Sequence, residues 1–420
     1  MHKTTRKTLF ATALGNFFEW LDFTLYGFFS TAIALTFFPP GNPLLALLAT
    51  IATFASGFVT RPLGAYFIGR YADAKGRKAA LILTFLLMGA GTLLIVAAPS
   101  HASAGLVGAL CVLLGRLLQG LAASGEYGAA SAMFMEVAPA GRKGLYGSFF
   151  IVSTYLALAF GALLAVLIYL LMGPVEAERH GWRLAFLIGL CIVPLGLWVR
   201  AGMEESRAFS QARRQHPGAN APIDWRAVLV VIGLTSLGTS SLYLSMIFMP
   251  AFAKAAFDIP VLDTSLATSL SCLIVAASVV LGGYLSDRRG PALPMYGGLT
   301  VILLGGLPGY GLLLAHPGLG SILLFQSLNG IGLGLFVGGS FSRVCGLFMT
   351  GQRALGLGLG YNLGVALFGA LAPLVSTAAL GYGIRYAPAL YLLLTALVSA
   401  LACRALLGRA PSPVALESLS

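Results

Sequence analysis

Charge is scarce in this chain. Only 10% of its 420 residues are Asp, Glu, Lys or Arg, while 58% are apolar. Water-soluble domains carry about 25% charged residues. A soluble fold of this length would lack the polar surface it needs, which argues against a soluble enzyme or a nucleic-acid-binding domain. Histidine is scarcer still: His2, His101, His180, His216 and His316 all lie at a terminus or between apolar runs. Five cysteines (Cys111, Cys191, Cys272, Cys345 and Cys403) fall in or at the ends of such runs and form no CxxC pair. Buried free thiols are expected, with no disulfide and no metal site. HExxH and GxSxG are absent, and no strand flanks the glycine-rich stretches, so hydrolase and dinucleotide-loop readings fail. No enzymatic activity and no cofactor are expected.

What the chain has in abundance is long apolar runs. About 20 apolar residues suffice to cross a bilayer, and twelve such stretches recur: 9–37, 44–69, 79–98, 104–135, 144–172, 182–201, 227–252, 264–285, 292–314, 319–348, 354–380 and 386–407. This predicts an all-α polytopic membrane protein. The first run is too long for a signal-peptide core, and no cleavage site follows it. With the N-terminus inside, 20 of the 26 Lys and Arg residues fall on the inner side, four fall outside, and Arg61 and Arg116 lie within spans. That bias predicts cytoplasmic termini and a cell inner membrane. The net charge of +12 is therefore mostly a topology signal, not a nucleic-acid footprint.

The chain divides in its middle. A polar segment with Pro217, Gly218 and Pro222 separates spans six and seven, predicting a six-helix bundle over 1–201, a cytoplasmic linker over 202–226 and a second six-helix bundle over 227–420. The halves echo each other. "GRYADAKGRK" (69–78) follows span two and "GGYLSDRRGPA" (282–292) follows span eight; "APAGRKGLYGS" (138–148) and "MTGQRALGLGLG" (349–360) follow spans four and ten. A duplicated unit of this kind suits a carrier that rocks around a site between its halves.

The most specific of these stretches, "GRYADAKGRK", resembles the cytoplasmic loop signature of the major facilitator superfamily. "GRLLQGLAASGEYG" (115–128) resembles that superfamily's fourth-span Arg-x-x-Gln-Gly motif. Together with "GNFFEWLDFTLYGFF" (15–29) and "WRLAFLIGL" (182–190) they resemble its metabolite–proton symporter branch, whose carriers take organic acids, shikimate or zwitterionic osmolytes. "ASGFVTRPLGAYFIGRYADAKGRK" and "GRKGLYGS" lean towards the citrate and tricarballylate carriers. Those carriers tend to have glutamines in span five, where this chain has Ser153, Thr154 and Tyr155. The resemblance implies a gating role for Arg61, Asp73, Arg77, Glu136 and Arg142. Asp73 would face the N-terminus of span eleven, and Arg77 would pair with an acid such as Glu136.

Buried charges mark where chemistry can occur. An ionised side chain at the bilayer centre costs about 2.5–3.5 kcal/mol on insertion scales. Glu19 and Asp22 are three residues apart, so both face one side of a helix, about 15–20 Å into span one. Arg116 reaches a similar depth from the other end of span four. Two acids against one base leave a carboxylate unmatched, which a purely structural salt bridge would not need. Low dielectric beside a second acid favours the protonated form of a carboxyl group, while arginine stays cationic. Glu19, Asp22 and Glu126 are thus candidate proton carriers, and Arg116 a candidate anion anchor. Arg61 and Glu126 could form a second pair nearer the cytoplasm.

Polar residues in the spans complete the candidate site: Asn16, Tyr26, Gln119, Tyr155, Tyr243, Gln326, Asn329, Tyr361 and Asn362. Interhelical hydrogen bonding competes with substrate contact at each of them. The expected activity is proton-driven uptake of a small organic anion, a di- or tricarboxylate such as citrate, by alternating access. Partners are that anion, protons or sodium, and lipid; a monomer is expected, without nucleic acid. Rivals are a carrier of a zwitterionic osmolyte or shikimate-like monoacid, and a drug–proton antiporter. Span five has no proline over 144–172, which counts against the antiporter.

Overall fold

The computed structural model describes residues 3–38, 41–75, 77–139, 141–201, 223–348 and 353–408. It is helical throughout, with no strand among these residues. The segment 202–222, most of the expected linker, lies outside the described residues. Helices cover all twelve expected spans, several of them broken. Span one comprises Lys3–Phe28 and Ser30–Phe37, bent by 63° at Phe29. Span two comprises Pro43–Val59 and Arg61–Lys75, and span three is Arg77–Ala97. Span four, read from sequence as one stretch over 104–135, is Leu106–Ala123 followed by Glu126–Val137. Span five begins at Lys143 and ends where Gly173 leaves the helical region, at φ 75°. Span six is Trp182–Ala201, span eight Val261–Arg289, span ten Leu319–Cys345 and span twelve Ala387–Leu407.

Three spans carry a π-helical turn at mid-length: Tyr243–Ile247 in span seven, Ile302–Gly306 in span nine and Val365–Gly369 in span eleven. Such turns insert a residue into the helical register and re-aim the side chains beside it. Here one of them delivers Tyr243 against the aromatic rings of spans one and two.

Local chemistry sets the helix starts. Asn42 accepts hydrogen bonds from the backbone of Leu44 and Leu45 ahead of Pro43, and Asp224 accepts from Ala227, satisfying donors that would otherwise be orphaned. Without a hydrophobic drive between helices in lipid, close packing needs small residues. A Cβ on Gly120 of span four would stand 1.7 Å from the carbonyl oxygen of Gly57 in span two. A Cβ on Gly144 of span five would stand 2.6 Å from the carbonyl oxygen of Gly283 in span eight. The first contact fixes the depth of Arg116, one turn before Gly120. The second joins a helix of the first half to one of the second.

Candidate functional site

Four side chains from spans one, three and four form one buried network. Asp22 Oδ1 accepts from the Thr92 hydroxyl at 2.7 Å, and Asp22 Oδ2 accepts from the Gln119 amide. Gln119 Nε2 also reaches Thr92 Oγ1 at 3.0 Å, while Gln119 Oε1 accepts from Arg116 Nη1 at 2.6 Å. Arg116 Nη1 stands 3.7 Å from Asp22 Oδ2. The cation therefore faces the carboxylate directly as an ion pair and also reaches it through an amide relay. Arg116 and Gln119 are one turn apart on span four, which lets both reach span one.

The rest of the Arg116 guanidinium is enclosed by rings. Its central carbon lies 4.6 Å from the Phe23 ring, 4.8 Å from Tyr26 and 4.6 Å from Phe54. Its Nε and Nη2 are buried with no hydrogen-bond partner. Those two nitrogens form the side edge of the guanidinium, the fork that matches a carboxylate bidentately. The Tyr243 hydroxyl, from span seven, is also buried without a partner. Tyr26 donates to the Thr50 backbone at 3.1 Å.

Glu19, one turn from Asp22, is buried and within electrostatic reach of Tyr243 and Tyr361. Arg61 lies over the rings of Phe23 and Phe58, at 5.0 and 4.6 Å, and hydrogen-bonds to Tyr361. The Glu126 side chain, and with it the expected Arg61–Glu126 pair, lies outside what the structure describes. So do the side chains of Asp73, Arg77 and Glu136. Arg142 is exposed at the residue preceding span five.

A cavity of about 870 Å³ of empty volume opens between helices of the two halves. Of the expected binding residues, Tyr155 and Tyr361 line it, beside Trp20, Tyr127, Thr154 and Thr239. Arg116, Gln119 and Tyr26 are not on its wall. A layer of rings, Trp20 against Tyr243 at 6.4 Å and Tyr243 against Phe58 at 5.6 Å, lies between. Tyr127 stacks on Tyr361 at 3.6 Å, and Asn362 donates to the Ser124 carbonyl at 3.2 Å beside them. Phe54 packs on Phe248 at 4.9 Å elsewhere in the same interface. Asn16 donates to Ser153 and Thr154 at 2.8 and 2.9 Å, tying span one to span five.

Gln326 and Asn329 sit in a second, neutral cluster. Gln326 donates to the Ser245 carbonyl and the Thr268 hydroxyl; Asn329 donates to Ser241 and Ser245 at 2.6 and 2.9 Å. Two further residues escaped the sequence reading. Thr92 is one of two threonines in an apolar helix, and nothing in the sequence singles it out. Asp287 accepts from the backbone of Gly144 and Leu145, at 2.7 and 2.8 Å, at the start of span five. Its signal was available: "GGYLSDRRGPA" echoes the loop of Asp73, for which a helix N-terminus was expected.

Comparison with known proteins follows the same lines. A family model described as "Major Facilitator Superfamily" matches residues 12–310. The citrate-proton symporter of Klebsiella pneumoniae is 34% identical over 413 residues, spanning 96% of this chain and 92% of its own. The glycine betaine/proline/ectoine/pipecolic acid transporter OusA of Dickeya dadantii (strain 3937) is 30% identical, spanning 94% of this chain and 82% of its own. Among solved structures, the inward-open xylose transporter XylE from E. coli superposes with a TM-score of 0.69 at 16% identity, covering 99% of both chains; this likeness speaks to the fold alone.

Proposed function

The chain belongs to the major facilitator superfamily, in its metabolite–proton symporter branch, and from that premise we propose that it takes up a small di- or tricarboxylate such as citrate together with protons. The observation that carries the anion is the free edge of Arg116. Each buried polar group left unpartnered costs about 1–3 kcal/mol, offset here by ring contacts of about 0.5–2 kcal/mol. A carboxylate entering beside Phe23 and Phe54 would meet two aligned donors, and the partnerless Tyr243 hydroxyl close by. To reach them it must displace the Trp20–Tyr243 layer, so binding and rearrangement of spans one and seven would be linked.

Coupling follows from the relay. With the site empty, Arg116 stabilises ionised Asp22 through Gln119 and directly. An arriving anion competes for that cation. Asp22 then keeps only neutral donors, Thr92 and Gln119, in a low-dielectric site one turn from Glu19, and takes up a proton. Anion and proton load together, and their reduced combined charge favours the rocking step. Loops rich in Lys and Arg would face the cytoplasm of a bacterial-type inner membrane.

Uptake of labelled citrate, α-ketoglutarate and glycine betaine into proteoliposomes, under an imposed pH or sodium gradient, tests this. Citrate accumulation that collapses with a protonophore supports the reading. Betaine accumulation without citrate uptake overturns it, and accumulation driven by sodium alone overturns the proton.

A further inference from the structure

Asp22 and Glu19 line a crevice that is separate from the cavity between the halves. Its walls come from spans one, three, four and six: Phe18, Leu21, Thr84, Phe85, Met88, Thr92, Ala122, Gly189 and Val193 surround the two acids. The two spaces share no lining residue. The crevice has room for a water molecule, and Thr84, Thr92 and the two carboxyl groups supply polar partners for one. Thr84 and Thr92 are eight residues apart, so it runs about 12 Å along span three, away from Asp22 and towards the start of that helix.

The network therefore has two faces. The open fork of Arg116 points into the ring box beside the cavity. Asp22, at the other end of the Gln119 relay, borders the crevice. Its charged and titratable neighbours among the described residues are Glu19 on its own helix and Arg116 on span four. Spans three and six present threonines, Met88, Gly189 and Val193 there, with no charge to hold an ion. Such a lining suits a hydrated proton path and nothing larger.

We propose that protons reach and leave Asp22 through this crevice inside the first six helices, by a route distinct from that of the substrate. Substrate and proton would then meet the relay from opposite ends and need never share a vestibule. Gly189 is the position at which to close the route. A Cβ there meets only Leu25 Cδ1, at 3.6 Å, so a larger side chain can start outward without a backbone clash and fill the space.

Two measurements test the route. First, Met88→Cys should be oxidised by hydrogen peroxide, a probe little larger than the water the crevice holds, above the wild-type background of native cysteines and whether or not citrate is present, as read by dimedone labelling of the sulfenic acid after denaturation. Absence of that reaction, with the protein shown folded by monodisperse elution, overturns the proposal. Second, in proteoliposomes Gly189→Leu should keep citrate counterflow while losing at least tenfold of pH-driven citrate accumulation; Gly189→Ala should retain it. Accumulation by Gly189→Leu equal to wild type also overturns it. The functional arm rests on the citrate reading, but the thiol arm does not. Labelling of Met88→Cys in a protein that ignores citrate would sink the substrate assignment and leave the route standing.

Discussion

Span four and span ten carry related signatures with opposite electrostatics. In span four the sequence is Arg116-x-x-Gln119-Gly120; in span ten it is Gln326-x-x-Asn329-Gly330. In each, the amide at the second position donates to the first span of its half: Gln119 to Asp22, Asn329 to Ser241 and Ser245. Both amides tie their span to the first span of the half, but the charges lie in one cluster only. Interhelical hydrogen bonds in membranes average about 0.6 kcal/mol and reach about 1.7. A buried ion pair at bilayer depth must offset several kcal/mol of desolvation. Polar packing alone thus explains the second cluster but not the first. Coupling is expected to reside in the first half, with the second half supplying a neutral wall and Tyr243.

The largest effect should come from removing the one feature the second cluster lacks. Arg116→Ala should weaken citrate binding by at least 100-fold. Arg116→Lys keeps the charge but loses the fork, and should cost only about tenfold; the larger loss in Arg116→Ala follows the 2–5 kcal/mol typical of truncated buried charge pairs. Equilibrium binding of labelled citrate to purified protein measures both. Wild-type affinity in Arg116→Ala would remove the anchor and, with it, the functional contrast between the clusters.

Asp22→Asn comes next. It imitates the protonated carboxyl and leaves Arg116 as the one fixed charge of the first cluster. Citrate counterflow should persist, while accumulation against a gradient falls to the passive level. If Asp22→Asn and Glu19→Gln both still concentrate citrate under a pH gradient, the proton travels elsewhere, with Glu126 the next residue to test.

A third comparison sharpens the asymmetry at matched positions. Gln119→Leu cuts the relay between Arg116 and Asp22, so it should change the pH dependence of citrate transport as well as stability. Asn329→Leu removes a similar number of hydrogen bonds and should lower thermal stability by only a few degrees, with the pH profile unmoved. A shifted profile in Asn329→Leu would mean that the neutral cluster takes part in coupling after all.

How far the sequence foretold this depends on what kind of signal each residue leaves. Twelve apolar runs follow directly from bilayer thickness, and the Gly-Asp-Gly spacing of 69–78 named the fold. Asp22 and Arg116 stood out because an ion inside an apolar run is costly wherever it occurs. Their partner Gln119 was read as a substrate contact, since an amide in a helix does not reveal which neighbour it faces. Thr92 was invisible for the same reason. The ring layer over Arg116 could not be foreseen, because Tyr243 owes its aim to a π-helical turn that no residue pattern announces. The separation of Asp22 from the central cavity was equally hidden: depth along a helix can be counted from sequence, but the direction in which a side chain opens cannot.

The smallest expected effect lies at the loops, where the halves differ least. Asp287 accepts two backbone hydrogen bonds at the first turn of span five, where a carboxylate also meets the positive end of the helix. The contact joins the last turn of span eight to a helix of the first half, so it must break if those helices separate on that side. Asp73 holds the equivalent place after span two. A cap of this kind contributes about 0.5–2 kcal/mol, enough to shift a conformational equilibrium several-fold without touching the ligand. Asp287→Asn keeps the shape and weakens the acceptor. It should bind citrate within about twofold of wild type, yet shift the balance of states and change counterflow rates by about three- to tenfold. Distance measurements between spin labels on spans five and eight would show the open population rising. Asp73→Asn should do the same between spans two and eleven. If Asp287→Asn instead abolished citrate binding while the label distances stayed fixed, the loop would belong to the binding site, and the gating symmetry of the two halves would fail where they look most alike.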